Sequence, residues 1–162
     1  MMNDLNNLPE GVQRTLACIN EFSIPYDLRA FTEPAHTASQ ATALLNCPIG
    51  AIVKSLVFLM GEKQSLLLVL VSGKNRADLK QLCEIVGQPV QPARPAVVKS
   101  LTGYEVGAVP PVGIAGDYPV IMDEDLLAFD KIWASAGAGK ILIGLASQDL
   151  HKISAARIRK VK

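Results

Sequence analysis

The 162-residue sequence predicts a single α/β (α+β) domain built on a mixed sheet. Three observations carry that expectation. Apolar runs of strand length are interspersed, without regular alternation, among runs of helical period. Two of the strands, Ile52–Met60 and Ser65–Val71, are joined through Gly61–Gln64, an antiparallel hairpin foreign to a simple βαβ ladder. No repeat, low-complexity tract or linker divides residues 1–162, and 49% hydrophobic against 19% charged residues makes a chain that can bury its own core.

Taken in order, Pro9–Phe22 reads as a helix, because Pro9 suits a first turn and Val12, Leu16 and Ile19 share a face. Tyr26–Phe31 is a short strand. Thr37 caps a helix through Asn46, with Gln40 completing a capping box, and Pro48 stops it. After the hairpin, Asn75–Val86 is a helix with Leu79, Leu82 and Val86 inward and Gly87 beyond its end. Pro95–Leu101 is a short helix opened by proline and closed by Gly103. Gly103–Gly113 is a loop. Pro119–Asp123, Ile132–Ser135 and Ile141–Ala146 are strands, Ser147–Ile153 is the last helix, and Ala156–Val161 is a final strand.

Charge and cysteine content exclude several classes. Sixteen Lys and Arg against 15 Asp and Glu leave a net charge of +1, too little for a protein that coats nucleic acid by charge alone. A site that receives one end of an RNA is compatible with it. Cys18, Cys47 and Cys83 form no C-x-x-C and read as buried small hydrophobes, and His36 and His151 alone are too few for a zinc site. The longest apolar runs fall short of the roughly 20 residues of a membrane helix. The opening MMNDLNNLPEG has no basic or apolar leader region, so a cytoplasmic protein is expected.

Lys54 is the most informative residue. Period-two counting puts Ile52, Lys54, Leu56, Phe58 and Met60 on one face and Val53, Ser55, Val57 and Leu59 on the other, so the strand is covered on both sides. A lysine there desolvates its ammonium into a polar cavity or snorkels to water at the strand end. The loop GYEVGAVPPVG, with three glycines and two prolines in eleven residues, is stiff and permits close backbone approach. It is either a tight structural turn or a cradle presenting N–H groups to an oxyanion. ASAGAGKI (Ala134–Ile141) matches a phosphate loop poorly, since Ala134 and Ile141 replace its first glycine and its hydroxyl; small residues lining a narrow pocket fit better. Asp123, Glu124 and Asp125 end a strand and start a helix. His36 reads as a loop or capping histidine, and His151 as a solvated one. Arg157, Arg159, Lys160 and Lys162 form a modest basic stripe that reads as a solvated edge resisting strand pairing, with an RNA site as the alternative.

In combination, IVKSLVF (Ile52–Phe58), VSGKNRADLKQL (Val71–Leu82), TGYEVGAVPPVG (Thr102–Gly113), PVIMD (Pro119–Asp123) and IWASAGAGKILIGLASQDL (Ile132–Leu150) resemble the YbaK/EbsC aminoacyl-tRNA deacylases, relatives of the editing insertion of bacterial prolyl-tRNA synthetase. The resemblance implies a mostly antiparallel, barrel-like sheet of about six or seven strands surrounded by helices. It implies hydrolysis of the ester between a wrong amino acid and tRNA, foremost tRNA for proline. The family's essential lysine falls on Lys54, its G-x-x-x-P loop on Gly107–Pro111, and its pocket serine on Ser135. Phe31 and Leu142 stand where cysteine-editing members carry tyrosine and aspartate, and Ala138 or a neighbour stands where alanine-editing members carry histidine. The resulting apolar pocket implies a small acyl group: 2-aminobutyrate, alanine or cysteine, with the aliphatic ones preferred.

The expected catalytic set is thus Lys54 with the backbone of Gly107, Ala108 and Val109. The expected substrate-binding set is Phe31, His36, Ser55, Ser72, Gly103, Tyr104, Pro110, Pro111, Asp123, Ser135, Ala136 and Gly137. No serine or cysteine nucleophile with a neighbouring base is evident, so water is the expected attacker, oriented by a ribose hydroxyl of the substrate. No metal or other cofactor is expected, nor DNA or membrane. The expected partner is the acceptor end of aminoacyl-tRNA, delivered by a prolyl-tRNA synthetase or an elongation factor. A non-catalytic aminoacyl-tRNA or synthetase-binding module of the same fold is the alternative, and a hydrolase of small free esters or amides is a second.

Overall fold

The computed structural model describes residues 7–35 and 37–162. Helix α1 (Glu10–Asn20) is followed by strand β1 (Asp27–Ala30) and helix α2 (Ala38–Leu45). The hairpin is β2 (Val53–Met60) and β3 (Ser65–Ser72). Then come α3 (Leu79–Val86), β4 (Val90–Pro92), α4 (Pro95–Thr102), β5 (Val120–Asp123), β6 (Lys131–Ala138), β7 (Ile141–Ala146), α5 (Ser147–Ser154) and β8 (Arg157–Arg159).

The strands form two sheets, one ordered β1-β7-β6 and one ordered β4-β2-β3-β5-β8. This corrects the expectation of a barrel-like sheet of six or seven strands. The pairings β2–β3, β2–β4, β1–β7 and β6–β7 are antiparallel, whereas β3–β5 and β5–β8 are parallel. Closure fails at the outer edge of β2. There β4 pairs only with Phe58–Met60, and β6 touches only through a single bridge between Ile52 and Trp133. Residues 54–56 lie between these two contacts with no strand beside them, and the gap becomes the mouth of a cavity.

The two-faced reading of the hairpin holds. Val53 and Val57 of β2, with Leu68 and Leu70 of β3, enter a large core shared with α1 and the smaller sheet. Phe58, Leu67, Val69 and Val71 enter a second core closed by Leu82 of α3. Alternation in β2 therefore sends Lys54 and Ser55 to opposite faces of the same uncovered edge.

Local signals set most element ends. Thr37 and Gln40 form the capping box, each bond 3.1 Å long, and Asn46 ends α2 in the left-handed conformation. Pro95 opens α4 and Gly103, at φ +82°, closes it. Two ends differ from expectation. α3 starts at Leu79, not Asn75, because the Asp78 carboxylate caps it by accepting from Lys80 N (2.9 Å) and Asn75 is drawn away into the core. β6 runs on to Ala138 through a bulge after Ser135, so the glycine-rich stretch is strand and not phosphate loop. β4 escaped the pattern, being three residues long with two of them polar-facing or proline. The three cysteines are free and half-buried at the margins of the cores rather than inside them. His151 is half-buried on α5 rather than solvated. The basic residues Arg157, Arg159 and Lys160 are exposed along the edge strand β8, as its edge position favours.

Candidate active site

A cavity of about 730 Å³ opens at the uncovered edge of β2. Lys54 and Ser55 of β2, Gly107 and Val109 of the loop after α4 and Ser135 of β6 all line it. Alanine and branched aliphatic side chains such as Ala134, Val57, Val98 and Leu142 make the remaining wall mostly apolar and narrow.

The Lys54 ammonium donates to the main-chain carbonyl of Asn75. Burial holds its pKa below the ordinary lysine value, and the nearby Arg76 guanidinium pushes the same way, while the Asp123 carboxylate opposes both. Asp123 is buried and accepts from Ser72 N at 3.0 Å, Asn75 Nδ2 at 2.8 Å and Asp125 N at 3.0 Å. Arg76 lines the cavity beside Lys54, giving its rim two cations. The Ser55 hydroxyl oxygen is buried and has no hydrogen-bond partner among the described residues. Such an atom costs free energy unless a ligand or water meets it.

The glycine–proline loop is held from behind. Ser135 Oγ donates to Ala108 O at 2.9 Å and accepts from Gly137 N at 3.2 Å. Gly107 sits at φ +87°, a conformation that side chains other than glycine resist. The Ala108 N–H donates to Glu105 O at 3.0 Å, so it is not available as a cradle donor, which corrects its assignment to the catalytic set. The amides of Gly107 and Val109 make no hydrogen bond to the described residues. Of the three amides, those of Gly107 and Val109 are thus the two without a partner among the described residues.

Other expected binding residues lie elsewhere. Ser72 is fully buried and donates to Gly50 O at 2.7 Å, and Asp123 sits behind Lys54 rather than in the cavity wall. Tyr104 is buried under α1, its hydroxyl donating to Gly11 O at 3.1 Å and its ring covered by Arg14. Gly103 ends α4, and Gly137 packs on Gly11. Ala136 is core, Pro110 is buried, and Pro111 faces a second cavity of about 530 Å³ beside α1. Phe31 packs with the Trp133 and Leu142 cluster and does not reach the cavity lining. His36 lies outside the described residues. Asn75 and Arg76 were missed, whereas Ala134 opens the small-residue stretch expected to line a pocket and does line this one. Asn75 is expected as the first residue of a helix, and only its fold partners reveal its burial. No group of three or more His, Cys, Asp or Glu side chains placed to hold a metal ion occurs among the described residues. No helix among them is long and apolar enough to cross a membrane.

Residues 32–153 match the family described as the aminoacyl-tRNA editing domain, a span that takes in both walls of the cavity. The chain belongs to that family. Within it, the chain is 28% identical over 132 residues to the uncharacterized protein YwhH of Bacillus subtilis (strain 168), covering 82% of this chain and 83% of YwhH. It is 32% identical over 121 residues to a proline--tRNA ligase of Desulfovibrio desulfuricans, covering 74% of this chain but only 19% of the ligase. The fold matches, at a TM-score of 0.87 and 34% identity, a crystal structure described as a putative trans-editing enzyme for prolyl tRNA synthetase, over 96% of this chain and 99% of that one. The chain is thus similar over most of its length both to chains of about its own length and to a segment of a much longer synthetase.

Proposed function

We propose that this protein is a trans-editing hydrolase that removes a small amino acid from mischarged tRNA for proline. The observation that carries the reading is the cavity itself: a partly desolvated ammonium and two residues whose main-chain N–H groups make no bond to the described residues, Gly107 and Val109, line one mostly apolar space. The ester carbonyl oxygen gains charge during attack, and the Gly107 and Val109 amides would hold it. Lys54 anchors the terminal ribose and phosphate or stabilises the same charge, with Arg76 beside it. A ribose hydroxyl of the substrate orients the attacking water, since the described residues supply no nucleophile paired with a base. The apolar lining suits 2-aminobutyrate or alanine better than cysteine, and larger side chains are excluded by volume.

The test is turnover. Substoichiometric protein incubated with tRNA for proline carrying alanine, 2-aminobutyrate or cysteine should release free amino acid over many cycles, and excess chelator should leave the rate unchanged. Stoichiometric binding without release would turn the reading into a non-catalytic aminoacyl-tRNA module. Equal turnover of a simple aminoacyl ester and of aminoacyl-tRNA would remove the RNA from it.

A further inference from the structure

Lys54 does not hold its own position. Its ammonium donates to a carbonyl of the segment between β3 and α3, which has no regular secondary structure to fix it. Main-chain bonds from Gly73 N to Ile52 O (2.7 Å), Asn75 N to Ser72 O (2.9 Å) and Asp78 N to Val161 O (2.7 Å) tether that segment, and the side chain of Asn75 itself anchors it to the acids at and just after the end of β5. Asn75 is 7% exposed, and its amide nitrogen donates to Asp123 Oδ2 and to Asp125 Oδ2, each at 2.8 Å. An amide nitrogen carries two protons, so both are used. The carboxylates are themselves braced. Asp123 also takes the amides of Ser72 and Asp125, and Asp125 pairs with Lys162 at 3.0 Å and with Lys74 at 4.0 Å.

We propose that Asn75 is a positioning residue for Lys54: Asp123 and Asp125 clamp its side-chain amide so that its main-chain carbonyl sets the place of the ammonium in the cavity. The inference rests on the reading of Lys54 as a group at the reacting centre. It goes beyond that reading by assigning two buried or half-buried acids and an asparagine that never touch the substrate. Hydrogen bonding to the ammonium also favours its charged form, against the burial and the Arg76 charge that oppose it. The charged groups around Lys54 are Arg76, which with Lys54 lines the cavity, and Asp123 at the end of β5; Lys74, Asp125 and Lys162 surround the clamp.

The experiment follows the Lys54 side chain by NMR of ¹³Cε-labelled lysine through a pH titration, alongside single-turnover deacylation. Asn75→Ala should lower the titration midpoint of Lys54 and slow the chemical step about tenfold or more, with substrate affinity little changed. A folded Asn75→Ala protein with wild-type midpoint and rate would overturn the proposal. If Asn75→Ala does not fold, the more exposed Asp125 decides. Asp125→Asn keeps the acceptor and Asp125→Ala removes it, while both lose the charge. The alanine variant should then show the lower midpoint and rate, and identical behaviour of the two would overturn the clamp. Lys54→Ala separates the readings: full activity in that variant defeats the role of Lys54 in catalysis, while the titrations still report whether Asn75 positions it.

Discussion

Ser135 Oγ donates to the carbonyl of Ala108 at 2.9 Å, tying β6 to the loop that carries the Gly107 and Val109 amides. The same oxygen accepts from Gly137 N, so one hydroxyl joins the bulge of β6 to the loop that lines the cavity. Ser135→Ala should cost about 1–2 kcal/mol of stability, because the partly buried Ala108 carbonyl is left without its donor. It should lower the deacylation rate more than it weakens substrate binding, since the amides lose their fixed aim. Thermal unfolding together with single-turnover kinetics checks both.

Lys54→Met should abolish most deacylation while leaving the fold intact. Replacing a partly desolvated ammonium by an apolar side chain of similar length removes an unfavourable burial, so the melting temperature should stay level or rise. A rate loss of about 100-fold or more is expected for a group that stabilises the developing charge. An undiminished rate would take Lys54 out of the chemistry.

The depressed pKa of Lys54 sets a pH dependence with opposite signs for activity and stability. Its ammonium loses its proton in the folded protein at lower pH than in the unfolded chain, where the ordinary value is 10.5. Activity that needs the charge should fall as pH rises through the folded pKa, below that ordinary value. Over the same window the stability contributed by Lys54 rises, because the folded state no longer holds a desolvated charge. Arg76→Ala removes the neighbouring cation and should move the alkaline limb of the rate upward. Background-corrected pH–rate profiles of the two proteins, and chemical denaturation of wild type against Lys54→Met, measure the two signs.

Val109→Ala should enlarge the cavity and relax selectivity. The branched side chain lines the wall and is buried. Its truncation should cost about 1–2 kcal/mol of stability. Each methylene of extra room changes discrimination by about 1–3 kcal/mol, so valyl or leucyl esters should gain turnover by about tenfold or more relative to alanyl ones. A panel of mischarged tRNAs reads the ratio.

Much of the fold was legible because its signals are local. A capping box at Thr37, glycine after α3 and α4, and period-two apolarity in β2 depend on neighbours a few residues away. Lys54 was legible as an anomaly, a charge in a strand whose two faces are otherwise mostly apolar. Asn75 was not, since its sequence neighbours are both cationic and its partners lie 48 and 50 residues downstream. The amide of Ala108 is illegible for a similar reason: nothing in GYEVGAVPPVG says that it bonds to Glu105 O.

The sequence by itself determined mixed α/β local structure, a lysine in a strand apolar on both faces and a stiff glycine–proline loop, because periodicity, capping and proline geometry are properties of short segments. Tertiary structure alone decided that the outer edge of β2 stays unpaired at residues 54–56, that the loop lines the same cavity as the lysine, and that Asp123 is absent from that lining. Those outcomes depend on which distant strands pair and on how far each polar group is desolvated, and burial is a property of the packed whole.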